Sequence, residues 1–285
     1  MALEPVAGQV YFAPECHRNY GDLGFGPSPH TTAGGVQMPD GPAYFTSRGS
    51  VMGHVPGELV AAAFAVFNPR VVIPAVARGW TICDAPTICA ARTEGATSQL
   101  VRILGPKPGG LARATELLTR ATVDLRPEGR PLYAGLLSLG LPGHPIADMW
   151  RLTDLLREYR GDAHTAAWVS AGLTAPEIGL LSELYWGLPM RTYVRTRAWS
   201  AEQLDQADES LASRGLIADG AFTAAGRDLR QAIEAATDRQ CEVIERALGD
   251  DMGDLIGLLQ PWGQAVKDAG GYPAQGPHDL ARDRA

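Results

Sequence analysis

Lysine is nearly missing from this chain. Only Lys107 and Lys267 occur, and arginine carries almost all the positive charge. With 25 basic against 32 acidic residues the formal net charge is −7. Nucleic-acid binding runs on neutralising phosphates with Lys and Arg, so this balance gives DNA no general help. Cysteine is scarce too. Cys16, Cys83, Cys89 and Cys241 form no C-x-x-C pair, which argues against a zinc site or a disulfide framework; idle thiols in a reducing compartment are expected instead. No apolar run approaches the ~20 residues of a membrane span, the longest being Leu59 to Phe67. The opening MALEPVAGQVYF lacks the basic start and apolar run of a signal peptide. A cytoplasmic protein without membrane contact is expected. Also absent are G-x-x-x-x-G-K-[ST], a Rossmann G-x-G-x-x-G after a strand, H-E-x-x-H and G-x-S-x-G. Nucleotide-driven chemistry and serine hydrolysis therefore have no motif to stand on, and neither a metal nor a cofactor is expected.

What is present reads as a globular, helical protein. The 285 residues suffice for about two domains at ~100–200 residues each. Gly- and Pro-dense stretches at 26–43 and 105–110 read as loops, and the segment 271–285 as a flexible tail. From Met149 to Val169 apolar residues recur near the helical period. The clearest stretch is 174–240. Thr174 with Glu177 makes a capping box, and Ser200 starts a second capped helix that Gly215 closes. Ala218-Asp219-Gly220-Ala221 turns between two short apolar strands, and Thr223 opens a long helix to about Leu248. Helix, short helix, capped helix, two-stranded wing and long helix make a winged helix-turn-helix.

That order, with the phrase SAEQLDQADESLASRGLIADGAFTAAGRDL from Ser200 to Leu229, resembles the MarR-like regulators. The resemblance implies that the helix before Arg214-Gly215-Leu216 enters the major groove and that Asp219-Gly220 tips the wing. An upstream echo extends it. Glu58, Arg78, Trp80 and Thr81 recur 119 positions on as Glu177, Arg197, Trp199 and Ser200. The fold expected is mainly α, with tandem winged-helix-like halves at 1–148 and 149–270 forming a MarR-like pseudo-dimer within one chain. The first wing is replaced by GPKPGG. The recognition helix Ser200–Arg214 carries Glu202, Asp205, Asp208 and Glu209 against one terminal arginine, and its first-half counterpart with Arg92, Glu94 and Arg102 is near neutral. Both argue against DNA as partner, although Arg191, Arg195 and Arg197 remain as phosphate contacts.

The densest polar cluster is Arg157 to His164, set between apolar flanks. It reads either as a buried ion-pair network or as a site. In the second reading His164 and Asp162 move a proton, Tyr11 donates a hydrogen bond, and Arg157, Arg160 and Tyr159 anchor the substrate. Gly161 then permits close approach of a ligand. Tyr11 and Glu15 are expected to face this helix, and Arg48, His54 and Asn68 form a third polar group, counted with Glu15 among the substrate-binding candidates; Asn68 also reads as a cap for a helix starting at Pro69. The words YFAPE, YFTSRG, VPGELVAAAF, FNP, GRPL and LREYRGDAH resemble an actinobacterial family with MarR-like relatives. Where that pattern has histidines this chain has Ala7 and Tyr159, which implies no metal or haem here.

The function expected is action on a small organic metabolite, as a monomer or homodimer. The leading form is a cofactor-independent acid–base enzyme (cyclase, isomerase or lyase) of secondary metabolism. A ligand-responsive transcriptional regulator and a non-catalytic metabolite binder remain as alternatives.

Overall fold

Polar caps and first-turn prolines start most of the helices. Asp40, Asn68, Asp84, Ser200 and Thr223 each accept a backbone N–H at a helix N-terminus, satisfying donors that have no intrahelical partner. The computed structural model describes residues 2–283. In chain order its helices are α1 (Glu4–Gly8), α2 (Pro14–Leu23), α3 (Gly41–Gly49), α4 (Gly57–Phe64), α5 (Pro69–Ile82), α6 (Ala85–Leu104) and α7 (Leu111–Thr122). They continue as α8 (Pro131–Leu139), α9 (Pro145–Ser170), α10 (Ala175–Tyr185), α11 (Ala201–Ser213), α12 (Ala224–Leu248), α13 (Met252–Asp268) and α14 (Pro277–Arg282). Between α11 and α12 runs an antiparallel ribbon of β1 (Ile217–Ala218) and β2 (Ala221–Phe222), pairing Ile217 with Phe222 and Ala218 with Ala221.

The mainly helical expectation holds, and the second half carries the winged helix as read. Both capping boxes, Thr174 with Glu177 and Ser200 with Gln203, are formed. Gly215 closes α11 at φ 67°, and the wing tip falls at Asp219-Gly220 with both φ values positive. At Gly226 a Cβ would sit 1.8 Å from the Leu216 carbonyl oxygen, so only glycine lets α12 start against the wing.

The first half departs from this arrangement and, among the described residues, has no strand pair between α6 and α7. The second half reaches α11 through a loop with one 3-10 turn, Val194–Arg197, whereas the first half has the long α5 at that place. Helix α6, expected as the counterpart of the recognition helix, lies in the core for most of its length. Ile88, Arg92, Gly95, Ala96, Gln99 and Leu100 are buried, and α6 packs on α2, α3 and α9. A Cβ on Gly95 would lie 2.6 Å from Cys16 Cα, so glycine sets the close crossing of α2 and α6. Helix α7 packs on both α9 and α12, while α12 has no comparable packing with α1 or α2.

Two apolar cores result. The larger gathers α1 to α8, the first part of α9 and the buried side of α13, with Trp150, Tyr133, Leu100, Leu117 and Leu118 fully enclosed. The smaller lies under the wing, with Ile178, Leu180, Leu181, Leu211 and Ile217. Helix α9 supplies both: Ile146 to Tyr159 enter the first core, and Ala167 and Trp168 the second. Residues 271–283 of the segment expected as a flexible tail pack back instead, and residues 284–285 lie outside the described residues. The Tyr272 ring meets Phe12 edge-on at 5.5 Å, and α14 follows. No helix among the described residues is long and apolar enough to cross a membrane.

Gly161 is a correction. It sits exposed within regular α9, and a Cβ there would meet only Glu158 Oε2, at 3.6 Å. No close approach requires glycine. Gly161→Ala should therefore raise the unfolding free energy by ~0.4–1 kcal/mol, through the entropy of the unfolded chain. Urea denaturation of the two proteins measures it; a loss of stability would mean that Gly161 is needed after all.

Candidate functional site

Helix α9 places Glu158 on its buried stripe, and a buried carboxylate has to be paired. Arg48 from α3 grips it with two bonds, Nε to Oε1 at 3.0 Å and Nη2 to Oε2 at 2.8 Å. Arg157 donates to Oε1 at 2.9 Å, and Tyr11 donates its hydroxyl hydrogen to the same oxygen at 3.1 Å. Arg157 also donates to the Tyr11 oxygen at 3.2 Å and to Glu4 Oε1 at 3.1 Å. Burial alone would raise the Glu158 pKa, but Arg48 and Arg157 outweigh it and bring the group down to about 2. Burial keeps the Tyr11 phenol protonated, well above its ordinary range.

This network floors a cavity of about 320 Å³. Glu4, Tyr11, Phe12 and Arg157 line it from below, and Tyr44 and Phe45 of α3 with Phe67 and Val71 form an aromatic side. Pro29, His30, Met38 and Pro39 come from the loop before α3, and Tyr272 and Leu280 from the C-terminal segment. The remaining wall is the turn that feeds α11: Tyr193, Thr196, Arg197 and Ala198. The loop and the C-terminal segment are tied by His30 Nε2 and Asp283 Oδ2 at 2.8 Å. Arg195 of the same turn donates to the Ala281 and Asp283 carbonyls.

Of the residues singled out from sequence, Tyr11, Arg48 and Arg157 come together here. The others stand elsewhere. His164 and Asp162 diverge, as their i,i+2 spacing on a regular helix dictates. Asp162 is buried and accepts the backbone N–H groups of Leu132 and Tyr133, at 3.1 and 3.0 Å, capping α8 from a distance. Burial raises its pKa to about 7 against the pull of those two bonds. His164 meets Thr237 of α12, Nδ1 to Oγ1 at 3.1 Å. The Thr237 hydroxyl hydrogen already goes to Ile233, so the imidazole is the donor. Burial and the nearby Arg230 push its pKa down to about 4, so it is neutral at pH 7 and poorly matched to acid–base work there.

Arg160 pairs with Glu234 and Asp238 on α12, at 2.8 and 3.3 Å. Tyr159 donates to the Gln240 carbonyl at 3.2 Å, and its ring carries the Arg130 guanidinium at 4.3 Å. Glu15 turns from α9 to Arg102 of α6, 2.5 Å away. His54 stacks on Trp80 at 4.6 Å. Asn68 caps α5 as read, and its Nδ2 also reaches the Ala198 carbonyl at 2.9 Å and Gln203 Oε1 at 3.1 Å. The Arg157–His164 cluster therefore serves mostly as packing between α9 and its neighbours. Sequence reasoning passed over Glu4, Glu158, Tyr193 and Tyr272, and read Arg197 as a phosphate contact, whereas it lines the cavity. For Glu158 a signal existed: it continues the buried stripe of Arg151, Asp154 and Leu155.

The helix-turn-helix face has its own geometry. Glu202, Asp205 and Glu209 are exposed on α11, and Arg191 is spent on Asp205 at 2.5 Å and Asp208 at 2.9 Å. The start of α11 is docked on the first half. Trp199 Nε1 donates to the Val66 carbonyl at 2.9 Å, and Asn68 holds Gln203.

Replacing Glu158 leaves two partly buried arginines short of their counter-charge. Glu158→Gln should cost ~3–5 kcal/mol of unfolding free energy. The pH sign follows from the depressed pKa. The stabilisation is complete above the unfolded value of 4.5 and is lost as pH falls toward about 2. Thermal melts over that window should show a steeper decline for the native protein than for the variant. Parallel curves would remove Glu158 as the keystone.

No curated protein and no solved structure matches the chain. A family model described as a helix-turn-helix family matches residues 1–273, nearly the whole length and the winged module with it, and the chain belongs to that helix-turn-helix family.

Proposed function

We propose that the protein binds a small organic molecule in the cavity between its N-terminal helices and the turn that feeds α11, and that the helix-turn-helix forms part of the wall rather than a DNA reader. The observation carrying this is the cavity itself. It is mostly apolar and aromatic with a few convergent polar groups, and about 320 Å³ falls at the small end of ligand pockets. Two features stand against DNA. The exposed face of α11 is acidic, which repels phosphates. Its N-terminal turn, the part that such a helix presents to base edges, is engaged by Asn68 and Val66. On this reading the chain is a tandem of helix-turn-helix halves meeting near residue 148, with the first half recast around the ligand. The reading stops at binding; the His164–Asp162 acid–base pair has no support from their placement.

Membership of a helix-turn-helix family favours a second reading, a regulator whose cavity ligand acts through Tyr193–Ala198 on α11. One pair of measurements separates the two. Calorimetric titration with 2-naphthol should show saturable binding, and Val71→Trp, which fills the cavity mouth from a half-exposed position, should abolish it without unfolding the protein. Fluorescence anisotropy with a labelled DNA duplex at low salt should show no binding tighter than the non-specific range of ~10⁻⁴–10⁻⁶ M. Tighter, sequence-selective binding would make the protein a regulator.

A further inference from the structure

We infer that the cavity takes an aromatic anion, its negative group held by Arg197 and its ring laid against the aromatic wall; this rests on the reading that the cavity is a ligand site. Most charges along the wall are already matched. Arg48 and Arg157 are answered by Glu158 and Glu4, with contacts of 2.8 to 3.1 Å. His30 and Asp283 close on one another at 2.8 Å. Arg197 lines the same cavity and has no carboxylate at ion-pair distance among the described residues. Its one side-chain hydrogen bond there goes from Nη2 to the Tyr193 hydroxyl, which leaves Nε and Nη1 without a protein partner.

Position as well as charge suits Arg197 to this role. Its guanidinium lies 4.6 Å from the Phe67 ring and 4.8 Å from the Tyr193 ring. Contact with aromatic faces restrains the plane of the group, and a restrained planar fork is the geometry that binds a carboxylate with two parallel bonds. The backbone beneath it is fixed as well. The Arg197 carbonyl accepts from Asn68 N at 3.0 Å, and Ala198 comes next at φ 61°, a left-handed conformation. A cation presented from a braced turn loses little freedom when it meets an anion.

The ring requirement comes from the facing wall. Tyr44, Phe45 and Phe67 meet one another with centroids 5.1 to 5.7 Å apart, and Tyr11 joins Tyr44 at 5.3 Å. These four rings, set at steep angles to one another, line the cavity with aromatic surface, which favours a planar aromatic guest over a branched aliphatic one. An aliphatic anion would meet Arg197 and forgo the wall; a neutral aromatic would meet the wall and leave Arg197 unpaired.

Matched probes test the assignment on the full chain. Calorimetric titration compares 2-naphthoate with 2-naphthamide, which has the same rings and no charge. The expected result is at least ten-fold tighter binding of the carboxylate. Arg197→Gln should abolish the preference while still binding the amide, and Arg197→Lys should retain part of it. Equal affinities for the two probes, or a preference that survives Arg197→Gln in a protein with native circular dichroism, would overturn the inference and leave the cavity as a ligand site. Failure of both probes together with 2-naphthol would overturn the ligand site itself.

Discussion

One buried carboxylate decides how the first half is assembled. Glu158 sits on α9 with its oxygens divided among Arg48, Arg157 and Tyr11, and each of these comes from a different element. Removing either arginine would leave the buried Glu158 short of a partner, at several kcal/mol for an unpaired buried ion. The three segments therefore share one register. Arg157 passes the constraint on to Glu4, and Glu4 also accepts from the Tyr272 hydroxyl at 3.3 Å, so the two ends of the chain are drawn over the same cavity. The polar floor and the aromatic side wall are two faces of one arrangement. Arg48 shows this directly, with its guanidinium on Glu158 and over the Phe64 ring at 4.4 Å.

The second constraint is a helix-turn-helix whose reading helix is anchored at its own start. In a groove-reading module the first turn of that helix has to be free. Here Gln203 Oε1 accepts both from the Ser200 backbone, as part of the capping box, and from Asn68 at the start of α5. Asn68 in turn caps α5. One side chain thus joins the N-termini of α5 and α11, and the turn between Tyr193 and Ala198 is held on one side by this clasp and on the other by the cavity.

How much of this was legible in the sequence depends on range. Features settled within a turn or two of the chain were read correctly: the two capping boxes, the Asn68 cap, the glycine stop after α11, and the wing. Those signals are local competitions for backbone hydrogen bonds, and a single sequence carries them in full. The same sequence could say that Arg157 to His164 had to face something, because their flanks are apolar. It could not say what each residue faced. Asp162 caps a helix thirty positions upstream and His164 meets one more than seventy downstream, and both partners are chosen by packing. The upstream echo was informative only locally, for a related reason. Trp80 and Trp199 do play parallel parts, each indole donating to a backbone carbonyl, Val55 and Val66. Yet α6 is buried where α11 is exposed, and that difference arises from what lies above each helix. The cavity fell between segments distant in the sequence, so only the isolated words around Tyr11 and Arg48 pointed to it.

The route of the chain through its two cores has a consequence for how the protein acquires its shape during synthesis. The smaller core lies between Ala167 and Ile233, whereas the larger one needs Leu255, Leu259, Trp262 and Val266 from α13 in addition to everything before α9. Gly263 of α13 is close enough to the start of the chain that a Cβ there would stand 3.2 Å from the Ala2 carbonyl oxygen. The residues around Ala2 and Val6 must therefore wait for α13 before their apolar faces are covered. The buried side chains of the smaller core all fall within one continuous stretch, so the winged module can begin to close while its host is still open, which reverses the usual order in which an N-terminal unit folds ahead of its C-terminal neighbour.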